Sequence, residues 1–295
     1  MTITYPLLVN SLIAGLLMGG FYAALSVGAT VAFGLLDIVN IAHPTFAVSG
    51  AYAVLVLNRT FNIDPIICGL LLTPVFYGAG MLLYQVYHHF FERRGDDAMR
   101  GLAFFFGLMF MAEVALIMLF GVDFRYVHAP YITTTWNFGD VALPLRLAVP
   151  FAGSVLMLVA LELFLRKTFI GRAIVAVAQD PFALRLVAVS PVRIKRIAFG
   201  IACASAALAG AFIIVIEPLQ PAVGREFIGR VFAICVFGGL GSCRGPSLLR
   251  CRWAWSKISP PFSSARLGRR LSRLAFGWRR WHGGPPACSG GADAP

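Results

Sequence analysis

Long apolar runs alternate with short polar breaks along most of the chain. The runs fall at 7–33, 38–57, 65–90, 101–120, 147–165, 197–217 and 227–242. A bilayer core needs about 20 mostly apolar residues per spanning helix. The pattern therefore predicts an all-α polytopic membrane protein with about seven apolar membrane segments. Many segments are rich in Gly, Ala and Ser, as in IACASAALAGA at 201–211. Small side chains let helices approach closely where lipid offers no hydrophobic drive, and close packing is the plain reading of that composition. One run is interrupted: Asn40, His43 and Pro44 stand together, which predicts a broken segment near Asn40–Pro44.

Composition agrees. The 295 residues are 59% hydrophobic and only 13% charged, against about 25% charged in soluble domains. The net charge of +12 is unevenly placed. Residues 1–243 carry 15 Lys and Arg against 12 Asp and Glu, whereas residues 244–295 carry 10 against one. The basicity belongs to the tail and says little about the body. Cys68, Cys203, Cys235, Cys243, Cys251 and Cys288 form no CxxC pair, so no zinc or redox motif is expected. No GxxxxGK[ST] motif is present, so no P-loop nucleotide site is expected. MTITYP has no basic residue before the first apolar run, so no cleaved signal peptide is expected.

Lys and Arg set the orientation. One polar break holds Arg93, Arg94 and Arg100, and another holds Arg166, Lys167, Arg172, Arg185, Arg193, Lys195 and Arg196. Both are expected in the cytoplasm, and two segments lie between them, so the two agree. The connection 121–146 then lies on the other side, with the N-terminus also outside. Tyr131 and Trp136 in that connection are expected as interfacial or loop aromatics. Tyr84, Tyr87, His88 and His89, at a segment end near Glu92, read as an interfacial belt rather than a metal site.

The loop 166–196 is too long for a mere connection and too polar to span. Gly171 and Asp180-Pro181 are breaks within it, and 172–189 is expected as one or two short amphipathic helices at the membrane surface. Two readings stand: a basic loop obeying the positive-inside rule, or a docking element for a cytoplasmic partner.

GRAIVAVAQDPFALRLVAV at 171–189 resembles the coupling loop of permease subunits from branched-chain amino acid ABC importers. Gly171, Arg172, Ala173, Ala176, Ala178, Gln179, Asp180, Pro181 and Leu186 match that pattern. Val175 stands where the family usually has Arg, and Ala188 where Gly is usual. Residues 34–53, GLLDIVNIAHPTFAVSGAYA, resemble the family's INxAHGxxxxxGAY segment through Asn40, Ala42, His43, Gly50, Ala51 and Tyr52, with Pro44 replacing Gly. GGLGS, with Gly238, Gly239, Gly241 and Ser242, matches its GGxGS motif. The resemblance covers roughly residues 7–245.

The resemblance implies a membrane-spanning, non-catalytic permease subunit of an ATP-driven ABC importer for branched-chain or related amino acids. It implies a second permease subunit in a heterodimer, two cytoplasmic ATPase subunits that grip the coupling loop, and a periplasmic solute-binding protein. It places the chain in the bacterial inner membrane, with no cofactor, no metal and no nucleic acid. Roughly eight or more membrane segments are expected in the full-length family. A stand-alone secondary transporter or channel is the rival reading, and an inactive, truncated or frameshifted permease is a third. Leucine, other amino acids, urea and short amides all remain open as solute.

Four positions are candidates for the translocation path. Asn40, His43 and Pro44 sit at the break, where freed backbone groups must face protein or a water-lined cavity. They either hydrogen-bond between helices or meet solute in transit. Glu113 lies inside an apolar run, where a carboxyl must be protonated or paired with a donor on another helix. Its role is either a structural hydrogen bond or a place on the path. Glu162 and Glu217, near segment ends, are expected to reach the interface.

The expected organisation is a permease domain at 1–242, with the cytoplasmic loop 166–196, and a basic tail at 243–295. From Phe227 to Ala292 the chain has no acid, and after Ser242 no run is long and apolar enough to span. A polybasic tail on anionic lipid is one reading. A changed reading frame just after Ser242 is the favoured one. Trp has a single codon, so Trp253-Ala254-Trp255 is TGG-GCN-TGG. Read from the third base of the first codon, this stretch permits Gly-Leu-Val-Glu-Asn-Leu and then an apolar run, as the family's continuation would have.

Overall fold

The computed structural model describes residues 5–36, 38, 40–92, 98–138, 141–186 and 188–238. Gly239, Gly241, Ser242 and the tail 243–295 lie outside the described residues. Helix α1 (Tyr5–Thr30) runs into a π-helical turn at Val31–Leu35. After a non-helical stretch come α2 (His43–Phe61), α3 (Pro65–Phe90) and α4 (Ala98–Phe120). Strands β1 (Thr135–Phe138) and β2 (Val141–Pro144) precede α5 (Leu145–Lys167). Two short helices, α6 (Phe169–Gln179) and α7 (Pro181–Leu186), lead to α8 (Pro191–Ile216) and α9 (Val223–Gly238).

Helix starts follow local chemistry. Pro65 opens α3 behind Asp64, whose carboxylate accepts from the Ile66 N–H at 2.9 Å. Pro44 and Pro191 stand in the first turns of α2 and α8, where a missing N–H is not needed. The turn between α2 and α3 places Asn62 at φ 54, a left-handed conformation that Asn tolerates.

A helix occupies each of the seven apolar runs, and five are long and apolar enough to cross a membrane: Val9–Gly34, Pro65–Phe90, Met99–Phe120, Leu145–Lys167 and Pro191–Ile216. The other two, α2 and α9, begin part-way through the bundle. His43 opens α2 beside Leu25 of α1, near the middle of the first span. Gly224 in the first turn of α9 packs on Thr45 of α2.

The core forms two clusters stacked along the bundle. One joins Tyr52, Leu116, Leu147, Phe212 and Leu219, and the other joins Tyr84, Phe105, Leu165, Ile174, Ile194 and Phe199. Both include residues of α8, which is buried for most of its length against α2 and α3. Its small residues permit this closeness: a Cβ on Gly210 would collide with the Ala47 carbonyl and lie 2.7 Å from the Ala51 nitrogen.

The two ends differ as the charge pattern predicts. The ends of α3 and α8 bearing Glu92 and Lys195 meet at one end, with the basic residues Arg166, Lys167 and Arg196 near the same helix termini. The connection 121–144 covers the other end. It carries an antiparallel hairpin, β1 with β2, pairing Thr135 with Pro144 and Phe138 with Val141. Arg125 and Leu219 exchange two backbone hydrogen bonds of 2.8 and 2.9 Å across this end, and the Tyr131 hydroxyl donates to Asp64 at 3.2 Å. Trp136 is exposed on the hairpin. The hairpin itself is an addition to the all-helical expectation.

Candidate solute path and coupling surface

The break is longer than Asn40–Pro44. It opens with the π turn at Val31–Leu35, a geometry that recurs at functional sites. Past it, the Ile38 N–H reaches the Ala32 carbonyl at 3.2 Å. Asn40 accepts the His43 N–H through its backbone carbonyl at 3.4 Å. Its side chain is 1% exposed, and neither amide atom has a hydrogen-bond partner among the described residues. A buried polar group without a partner costs about 1–3 kcal/mol.

His43 is also 1% exposed. Its Nε2 lies 3.2 Å from the Leu25 carbonyl, which can only accept, so Nε2 carries the hydrogen. That leaves Nδ1 as a bare acceptor, and it has no partner among the described residues. Two adjacent polar side chains are thus sealed in the bundle with hydrogen-bonding capacity unspent.

Glu113 is 5% exposed on α4 and is paired: Arg225 Nη2 of α9 lies 2.9 Å from its Oε1. The Arg225 guanidinium also lies 6.0 Å from the Phe110 ring centroid. Of the two expectations for Glu113, a donor on another helix is the one observed. Arg225 adjoins Gly224, which packs on Thr45, so the ion pair and the His43 break share the junction of α2 with α9.

The matched coupling-loop residues separate by exposure. Gly171, Ala173, Ile174 and Val177 form the buried face of α6, which packs on α5, α8 and the π turn. Gly171 is required there, because a Cβ would sit 2.6 Å from the Leu165 Cα. Its N–H donates to Thr168 Oγ1 at 3.0 Å, which caps the helix. Arg172, Ala178, Gln179 and Asp180 are exposed, and Leu186 is 89% exposed. Pro181 opens α7. Ala188, where the resembled pattern has Gly, adopts φ 58. That left-handed conformation explains the usual Gly, since a Cβ is strained there.

Sequence reasoning misread one cluster. Tyr84 and Tyr87 are buried rather than interfacial. The Tyr84 hydroxyl donates to Glu92 Oε2 at 2.7 Å, His88 Nδ1 lies 2.8 Å from the same oxygen, and Lys195 Nζ donates to Oε1 at 2.7 Å. Aromatics at a segment end carry no signal that distinguishes lipid headgroup from a buried acceptor. Burial alone would raise the Glu92 carboxyl, but hydrogen bonds from Lys195, Tyr84 and His88 outweigh it and hold the group below its ordinary value. Glu162 pairs with Arg166 at 2.7 Å one helical turn away. Among the described residues no three His, Cys, Asp or Glu side chains gather as metal ligands.

Two measurements check this geometry. Ala188→Gly should raise stability by about 1 kcal/mol, by relieving the left-handed strain, seen as a higher melting temperature in detergent. Glu92→Gln should destabilise at neutral pH. The folded chain holds Glu92 ionised more strongly than the unfolded chain, so its contribution is complete above the ordinary Glu value of about 4.3. It is lost as pH falls below that value through the depressed folded one. The melting-temperature gap between wild type and Glu92→Gln should therefore be constant from neutral pH down to mild acid and close below about pH 4.

The family model for the branched-chain amino acid transport system permease component matches residues 11–248. The high-affinity branched-chain amino acid transport system permease protein LivH of Escherichia coli strain K12 is 25% identical, over 78% of this chain and 79% of the relative. The LivH protein of Salmonella typhimurium is 24% identical over the same shares. The corresponding BraD protein of Pseudomonas aeruginosa is 23% identical, over 81% of each chain. No solved structure matches. With most of its length covered by that model, the chain is a multi-pass membrane protein that belongs to the branched-chain amino acid transport permease family.

Proposed function

We propose that the chain is the membrane-spanning subunit of an ATP-driven ABC importer for branched-chain or related amino acids in the bacterial inner membrane. A periplasmic binding protein delivers solute to the hairpin end. A second permease completes the membrane unit, and two ATPase subunits supply the energy from the cytoplasm. The observation that carries this reading is the α6–α7 surface. It offers Arg172, Gln179, Asp180 and Leu186 outward at the basic end while its other face is packed on the bundle. A loop that only satisfied the positive-inside rule would have no need of a buried face.

The same packing supports a mechanical route. Helix α6 rests on the π turn, and the π turn leads directly to the break bearing Asn40 and His43. A push on α6 by a closing ATPase dimer would shift the π turn. Asn40 and His43, sealed and unsatisfied in this state, would gain partners in solute or water as the path opens. On this reading Asn40, His43 and Pro44 lie on the path, and Glu113, paired with Arg225, lies beside it as an anchor for α9. The reading concerns residues 1–242. We take residues 243–295 as the product of a changed frame, supported by their composition and by a family match that stops at 248.

Replacing both Arg172 and Asp180 by Ala in a complete complex should leave membrane insertion intact and abolish solute-stimulated ATP hydrolysis. Unchanged stimulation would remove the docking assignment.

A further inference from the structure

Helix α9 has two unlike faces. Gly224, Phe227, Val231 and Cys235 are buried and lie along the second half of α1. Phe227 packs on Phe21 and Tyr22, and Cys235 Sγ lies 3.5 Å from Thr30 Oγ1. Glu226, Gly229, Arg230, Ala233 and Phe237 recur at helical spacing on the opposite side. All but Ala233 are exposed, Phe237 by 84%. Arg225 stands apart from them on the other flank, where it pairs with Glu113.

This outward side carries charge within the apolar depth. Arg230 Nη1 donates to the Tyr22 hydroxyl at 2.7 Å, and Tyr22 lies midway along the span Val9–Gly34. Glu226 stands one helical turn earlier, and Gly224 before it packs on Thr45 of α2. The Arg230 guanidinium lies 5.5 Å from the Phe227 ring centroid. Its bond to Tyr22 uses one of five N–H donors. Glu226 makes no hydrogen bond or ion pair among the described residues. Lipid does not tolerate such charges at that depth, so they must face protein or a water-filled path.

Their spacing decides between those two. Glu226 and Arg230 are opposite in sign, one turn apart on one flank, and unpaired with each other. Gly229 lies beside them, and a Cβ there would meet nothing within 4 Å. The backbone is therefore open to a second helix at close range. Two like helices, parallel and related by a two-fold axis along the membrane normal, set each acid against the other's base. Both charges are then met and none is left over. A water-filled path has no need of an acid and a base at this spacing, nor of an open backbone beside them.

We propose that the Glu226–Gly229–Arg230 face of α9 is where the second permease docks, through a parallel helix carrying its own acid and base one turn apart. This rests on the transport reading above and adds to it the surface on which the two membrane subunits meet. The Tyr22 hydroxyl and the Phe227 ring hold Arg230 in place, which leaves its remaining donors for a carboxylate across the interface.

The test uses the complete complex, with this chain tagged and the second permease and ATPase expressed beside it. Glu226→Arg and Arg230→Glu should each cut the second permease recovered with this chain roughly fivefold or more, because each sets like charges together. The amount of this chain in the membrane should not change. Exchanging the two charges within this chain alone should not restore recovery, since the partner's charges stay as they were. In an otherwise unaltered complex, p-benzoylphenylalanine in place of Phe237 should form a photo-adduct with the second permease. Recovery restored by the exchange would make the two residues a pair internal to α9 and overturn the proposal. So would an adduct with lipid alone, with a second copy of this chain, or with another segment of this chain, while the second permease is still recovered. Failure of the unaltered chain to recover any second permease would remove the transport reading, and this proposal with it.

Discussion

A bilayer core has no water to satisfy a free N–H or C=O, and that constraint organises this molecule. Five helices are long enough to meet it mostly within themselves, α3 and α5 each with one internal proline, Pro74 and Pro150, that gives no N–H. The exceptions are the two helices that begin inside. At the start of α2, the His43 N–H goes back to the Asn40 carbonyl and Pro44 has no N–H to satisfy. At the start of α9, the Val223 and Arg225 N–H groups go back to Gln220 and Ala222. Each start is tightened into a three-residue turn, and each is then covered by the other through Thr45 and Gly224. Helix α8, with its small residues, is what lets α2 come close enough for this to work.

Charge is handled by the same rule. Glu113, inside the apolar region, is neutralised by Arg225 from α9, which also pins the first turn of that helix. Glu92 at the basic end collects a phenol, an imidazole and an ammonium, and so ties α3 to the first turn of α8. That first turn follows directly on the α6–α7 surface. The fold therefore has a well-satisfied joint at Glu92 and an under-satisfied one at Asn40 and His43.

Much of this was legible in the sequence. Apolar runs located every long helix, and the Lys and Arg pattern separated the two ends. The α6–α7 surface was readable in part, because a turn at Asp180-Pro181 and a matched pattern fell together; the break expected at Gly171 falls instead at Thr168, and Gly171 lies inside α6. Depth was not legible. The runs 38–57 and 227–242 look like spans, and nothing in their composition tells that α2 and α9 start beside Leu25 and Thr45. The hairpin was missed because strands of four residues carry almost no alternation to read. Arg225 and Arg230 had a signal that went unused: two cations beside or within an apolar run need partners, and one of them proves to be that of Glu113.

The measurement that bears most directly on the account is leucine uptake into proteoliposomes holding this chain and its second permease, with and without the ATPase pair, supplied with binding protein. Uptake is expected only when the ATPase is present and ATP is hydrolysed, with no response to an imposed proton or sodium gradient. Uptake by the membrane subunits alone, driven by such a gradient, would contradict it and make the chain a transporter that needs no coupling surface.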